Sequence, residues 1–148
     1  MAENYVKIAL ADDDPDDRLF FKEAFEELKI KSKVSTFNDG DTLMSYLNNE
    51  NNEIPDLLFL DLNMPRKSGL ECLVEIKSND RFNDLAIAIY STSATEEDIE
   101  YTFVKGANIY IKKPNDFNIL KKTLSQVVTT NWQFANNGLN RDNFLLRL

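Results

Sequence analysis

Residues 12 to 17 read Asp-Asp-Asp-Pro-Asp-Asp, five carboxylates in six positions, directly after the apolar run Ile8, Ala9, Leu10 and Ala11. Acidic runs are ordinarily solvated, and Asp16 and Asp17 fit that reading. Asp12 and Asp13 fit it badly. No turn residue separates them from the apolar run, so a strand delivers both carboxylates to its own carboxyl end. Like charges held on a rigid edge require a compensating cation. Other groups with chemistry close later apolar runs: Asp61 after "DLLFL", Ser91 and Thr92 after "LAIAIY", Lys112 and Lys113 before Pro114. The chain has no histidine, which removes imidazole catalysis, imidazole metal ligation and a phosphohistidine carrier role together. What remains must run on carboxylates, hydroxyls and lysine. Three clustered carboxylates stay ionised near neutral pH only around a hard divalent cation. Mg²⁺ suits, because it takes one or two carboxylates, keeps waters and completes its shell with phosphate oxygens. With a phosphate implied, the available nucleophile is a carboxylate, and an aspartyl phosphate is an established product of one. Asp61 is the best placed, between its acidic neighbours and the lysine.

These groups have to be carried to one place. Strand-like runs occur at residues 5–11, 33–37, 56–60, 85–90 and 108–111, and segments of helical period separate them. Asp14 and Pro15 read as the N-cap and first residue of a helix that buries Phe20, Ala24 and Leu28, with Phe21 and Phe25 beside them. Leu43, Met44 and Leu47 serve the second helix, and Leu70, Leu73 and Ile76 the third. The fourth opens on a Thr95 to Asp98 capping box and stops near Gly106. The fifth carries Phe117, Leu120, Leu124, Val127 and Val128 after Pro114. Five alternations of strand and helix predict a five-stranded parallel sheet with right-handed crossovers and helices on both faces. "DLLFL" is continuously apolar, as a central strand covered on both faces should be. In such open sheets ligands bind beyond the carboxyl ends of the strands, where every one of these groups lies.

The blocks "LADDDP", "LFLDLNMPRKSGL", "IAIYSTSA" and "GANIYIKKP", in this order over residues 5 to about 128, resemble the receiver domain of two-component response regulators, in its stand-alone, single-domain (CheY-like) type. The resemblance implies a (βα)₅ flavodoxin-like doubly wound sandwich over residues 1–128. It implies that Asp61 accepts a phosphoryl group and that Asp12, Asp13, Asp61 and the backbone carbonyl of Asn63 hold Mg²⁺. Lys113 would pair with the phosphoryl group, before a peptide bond to Pro114 that is frequently cis in the family. Ser91 would hydrogen-bond a phosphoryl oxygen; counting back from "EEDI" selects it over Thr92. Tyr110 would be the switch residue, filling the space that Ser91 vacates and altering the face formed by the fourth helix, fifth strand and fifth helix. The donor would be a histidine kinase or phosphotransfer protein, and the output an unidentified protein target. The chain would modify itself without acting as an enzyme on other molecules.

Other classes stay open at this point. A phosphatase of the haloacid dehalogenase type would need a second acid two residues after the nucleophile, where this chain has Asn63. A receiver-like interaction module that never accepts phosphate would be expected to lack one of the acids or the lysine, and all are present. A phosphorelay intermediate uses the same residues. The formal charge of −8 and pI near 4.6 argue against nucleic acid as a partner. No apolar run approaches the ~20 residues of a membrane span. Without a signal peptide and with a single cysteine, Cys72, the expectation is a cytoplasmic protein. Residues 129–148 read as an extension of the fifth helix to Trp132 followed by a short apolar tail, with a break at Asn-Asn-Gly 136 to 138. Phe134, Leu139, Phe144, Leu145, Leu146 and Leu148 make that tail too apolar for a free peptide, so it should cover its own domain or a second copy in a homodimer.

Overall fold

The structure, a computed structural model, describes residues 5–129 and 145–146. Its elements run β1 (Val6–Ala11), α1 (Pro15–Glu27), β2 (Ser32–Phe37), α2 (Gly40–Asn48), β3 (Leu57–Leu60), α3 (Gly69–Lys77), a 3₁₀ turn (Asp80–Phe82), β4 (Ala86–Ser91), α4 (Glu96–Val104), β5 (Ile109–Lys112), α5 (Phe117–Thr129) and β6 (Leu145–Leu146). All strand pairs are parallel, in the order β2-β1-β3-β4-β5-β6. The five alternations and the doubly wound sheet are as expected. The 3₁₀ turn is additional, and so is β6, which pairs with Tyr110 and Ile111 of β5 and covers what would otherwise be an open edge. A parallel strand after α5 simply continues the strand–helix–strand rule.

The alternation of side chains along each strand divides the core in two. Ile8, Leu10, Leu57, Phe59, Ala88 and Tyr90 face α1 and α5, where Phe21, Ala24, Phe25, Leu120, Leu124 and Val127 meet them. Ala9, Ala11, Leu58, Leu60, Ile87, Ile89 and Tyr110 face α2, α3 and α4. All four residues of β3 are buried, as the apolar run predicts for a central strand. Phe21 stacks edge-on against Phe59 at 4.9 Å between centroids, and burial of each such ring contributes about 1.5–3 kcal/mol. Phe20, expected in this core, is instead half exposed and meets Phe117 of α5 edge-on. One helical position is about 100° of rotation, so the face that seats Phe21 and Phe25 on the sheet turns Phe20 outward.

The helix starts follow local chemistry. Asp14 caps α1 by accepting the Asp16 amide, with Pro15 at the first position. Thr95 accepts the Asp98 amide on α4, the hydroxyl half of a capping box. Both halves form on α3, between Ser68 and Glu71, a box not picked out from the sequence. Gly106, at φ 99°, ends α4 in the left-handed region. Among the described residues all peptide bonds are trans, Lys113–Pro114 included, in contrast to the cis bond that the resemblance suggested. No helix of the described residues is long and apolar enough to cross a membrane. Trp132, Phe134, Leu139, Phe144, Leu148 and the break at 136–138 lie outside the described residues.

Candidate functional site

The chain changes direction across the sheet at β1, which has β2 on one side and β3 on the other. Crossovers leave β1 and β3 toward opposite faces, opening a crevice at their carboxyl ends. Asp12 and Asp61 stand at that crevice one residue beyond their strands. The backbone fixes both: the Asp12 amide donates to the Phe37 carbonyl and the Asp61 amide to the Ala11 carbonyl, each at 3.0 Å. Asp13 is exposed beside them, and carboxylate oxygens of Asp12, Asp13 and Asp61 lie within 4.8 Å of one another. The loop after Asp61 folds back at once. Asn63 N–H donates to Asp61 Oδ1 at 3.2 Å, and Gly69 N–H to the Leu62 carbonyl at 3.0 Å. A Cβ on Gly69 would lie 2.0 Å from the Asp61 carbonyl oxygen, so only glycine lets α3 begin against the end of β3.

Lys113 enters from the end of β5, where its amide donates to the Ser91 carbonyl. Its ammonium is almost wholly covered and lies 2.7 Å from Asp12 Oδ2, 2.9 Å from Asp17 Oδ2 and 3.3 Å from Asp61 Oδ2. The stem passes over the Tyr90 ring, with Nζ 5.4 Å from its centroid. Ser91, the last residue of β4, is fully buried, and Thr92, one residue beyond the end of the strand, is exposed. Lys112 is likewise exposed. Tyr110, the switch residue that the resemblance implies, is fully buried. Its hydroxyl donates to the Ser93 carbonyl at 2.6 Å, and the Ser93 amide donates to Ser91 Oγ at 3.2 Å. Ser91, Ser93 and Tyr110 thus form one hydrogen-bonded line from the crevice to β5.

Two site residues went unrecognised in the sequence. Asp17 was assigned to solvent, yet it reaches Lys113 across 96 positions. Arg18 donates to the Asp12 carbonyl at 2.7 Å and braces the β1–α1 turn. The only signal for either was position in the first turn of α1, a place where acids are common for helix-dipole reasons alone.

The charges do not balance. Burial pushes Asp12 up to about 6, against the opposing pull of Lys113. Burial also raises Asp61, again against Lys113. Burial would lower Lys113, but hydrogen bonds from its ammonium to Asp12 and Asp17 outweigh this and raise it, so the lysine stays charged. One ammonium serves a group of carboxylates that outnumbers it. Asp12 Oδ2 is wholly buried with the Lys113 ion pair but no hydrogen bond of good geometry. A buried carboxylate oxygen left with open lone pairs beside two further carboxylates fits a hard divalent cation. Within this set only the Lys113 ammonium can offset charge on a phosphoryl group at Asp61.

Comparison with known proteins identifies the family. The family model for the response regulator receiver domain matches residues 8–125. Response regulator Rcp1 of Synechocystis sp. is 29% identical over 124 residues, spanning 81% of this chain and 84% of that protein. The probable methanogenesis regulatory protein FilR2 of Methanothrix harundinacea is 27% identical over 129 residues, spanning 85% and 83%. A crystal structure of the Mn²⁺-bound form of Rcp1 superposes with a TM-score of 0.79 at 28% identity, covering 84% of this chain and 96% of that one. The phosphorylated cyanobacterial phytochrome response regulator RcpA superposes with a TM-score of 0.78 at 33% identity, covering 84% and 91%.

Proposed function

The chain belongs to the response regulator receiver family, and from that premise we propose that it takes a phosphoryl group onto Asp61 and signals through altered binding of protein partners. The observation that carries this reading is the convergence of Asp12, Asp61 and Lys113 at the crevice, with Lys113 Nζ within 3.3 Å of Asp61 Oδ2. The donor is a phosphohistidine on a histidine kinase or phosphotransfer protein. An Asp61 carboxylate oxygen attacks phosphorus, the P–N bond breaks, and its electron pair stays with the donor nitrogen. Asp12, Asp13, Asp61 and the Asn63 carbonyl would hold Mg²⁺, which supplies charge neutralisation on the phosphoryl oxygens. Lys113 offsets the same charge from the other side, and the Ser91 hydroxyl turns to a phosphoryl oxygen. Catalysis here is positioning and electrostatics. When Ser91 turns, it leaves the Ser93 amide, and the segment that holds the Tyr110 hydroxyl is released to settle differently. A local charge event thereby biases the α4–β5–α5 face. The test is phosphate on Asp61, located by mass after exposure to a small phosphodonor with Mg²⁺. Phosphate at another residue, or none, overturns the reading.

The proposed setting is the cytoplasm, where kinase and target meet the receiver domain of residues 1–128. Onward transfer to a histidine phosphotransfer protein would mark a relay intermediate and uses the same groups. Two further outcomes follow. Saturating Mg²⁺ should raise the melting temperature of the wild-type chain, with a stabilisation of about 2.7 kcal/mol at a hundred times the dissociation constant. Asp13→Asn should remove that gain, and an unchanged melting temperature in the wild type would count against the metal. A second copy of the chain is also among the proposed partners, through residues 129–148, against the rival in which the tail docks on its own sheet as β6 does on β5. Mass in solution should increase on activation with beryllofluoride and should not do so after truncation at Thr130. A full-length chain that stays monomeric in both states restricts the tail to its own sheet.

A further inference from the structure

Lys113 is held by one carboxylate more than the chemistry uses. The ammonium has three N–H bonds, and Asp12, Asp17 and Asp61 stand around it. Asp12 and Asp61 belong to the metal cluster and the acceptor. Asp17 belongs to neither, comes from α1, and is the only one of the three with appreciable exposure, 31% of its side chain.

We infer that Asp17 is a positioning residue that shares Lys113 and so sets the balance between cation binding and retention of the phosphoryl group. The inference rests on the receiver reading above. While Asp17 is ionised, it takes part of the ammonium's charge and one of its N–H bonds. Lys113 then competes less strongly with a cation for Asp12 and Asp61, and the added negative charge attracts that cation. The same two effects work against a phosphoryl anion. Lys113 is restrained from turning wholly to a phosphoryl oxygen, and Asp17 repels the group directly. Removing the charge therefore moves the two equilibria in opposite directions. A carboxylate that only kept the lysine in place would, on removal, free the ammonium from Asp12 and Asp61, tightening the cation and weakening the phosphoryl group, and that reversal of both shifts overturns the inference.

The experiment is calorimetric titration of the full chain, first with Mg²⁺ alone, then with beryllofluoride at saturating Mg²⁺. Asp17→Asn is compared with wild type and with Asp16→Asn, which removes a charge from the same helical turn but has no contact with Lys113 among those described. Asp17→Asn should weaken Mg²⁺ about fivefold and tighten beryllofluoride about fivefold, the scale of one partly exposed ion pair. Asp16→Asn should change each by less than about twofold. In a Lys113→Ala background the effect of Asp17→Asn on Mg²⁺ should shrink to less than about twofold, because contacting residues are non-additive. Asp17→Ser repeats the test if the asparagine variant is poorly folded. Shifts of the same sign, equal effects from Asp16→Asn, or a full effect without Lys113 overturn the inference while leaving the site intact. A wild-type chain that takes up neither Mg²⁺ nor beryllofluoride overturns the receiver chemistry, and this inference with it.

Discussion

Asp61→Asn should eliminate phosphorylation by small phosphodonors and by a cognate kinase, with the fold preserved. The amide is nearly isosteric with the carboxylate and still accepts the Asn63 amide at Oδ1, but it has no anionic oxygen to attack phosphorus. It also removes one negative charge from a buried site that holds too many, so melting temperature should not fall. Lys113→Ala should leave the nucleophile in place and reduce the rate of phosphorylation about 10²-fold or more, the usual cost of losing one charge-stabilising donor from a partly dehydrated site. Lys112→Ala, whose side chain is exposed on the neighbouring position, should change the rate by less than about twofold, as surface substitutions do. Phosphate counted by mass over time separates these variants. Equal losses from the two lysines would place the phosphoryl group elsewhere.

The second large effect concerns stability against pH in the metal-free chain. Asp12 carries its proton more tightly when folded, up to about 6, than at its ordinary value of 3.8, because burial penalises the charged form. A folded state that binds more protons than the unfolded one loses stability as pH rises. The loss should therefore run from about pH 4 to a little above 6, and Asp61, raised for the same reason, adds to it. Lys113 does not oppose it in this window, since its raised value contributes stability that is lost only at strongly alkaline pH. Asp12→Asn mimics the protonated side chain. It should stabilise the metal-free protein at pH 7 by on the order of 2–3 kcal/mol, flatten the pH profile, and weaken metal binding. Urea unfolding in chelator at several pH values between 4 and 8 measures both. A wild-type stability that climbs steadily over this interval, or a destabilised Asp12→Asn, would contradict the account. Stability sacrificed at a site whose carboxylates fit a cation is the expected signature of function rather than of packing.

Much of this was legible before any coordinates. Strand-to-site placement follows from local order along the chain: an apolar run buried on both faces, then a polar residue at its carboxyl end. Asp12, Asp61, Ser91 and Lys113 all obey it. Ser91 over Thr92 comes from the resemblance, by counting back from "EEDI", and the structure buries Ser91 and exposes Thr92. Helix starts at Asp14 and Thr95 are equally local, since a cap is satisfied within three residues. Where inference from spacing erred, the cause was rotation or depth. Phe20 differs from Phe21 by one helical position, and a hydrophobic residue at the boundary of a face is assigned only by what packs there. Tyr110 belongs to the outermost strand pair of the described sheet, facing Leu145, and its burial comes from α4 and the segment through Ser93, which local spacing does not reveal.

What the sequence by itself determined is therefore the order of elements, the parallel sheet and the set of residues delivered to its carboxyl edge, because periodicity and strand ends are properties of neighbouring residues. What only the tertiary structure decided is how those residues share charge. Asp17 is separated from Lys113 by 96 positions, and nothing in the spacing of either distinguishes it from Asp16. The contact exists because the Lys113 side chain extends from the end of β5 past the Tyr90 ring to the carboxylates beside β1 and β3, and its ammonium there meets the first turn of α1. The upward shift of Asp12 has the same origin: a carboxylate's proton affinity depends on the water it has lost and the charges around it, and both are set by packing.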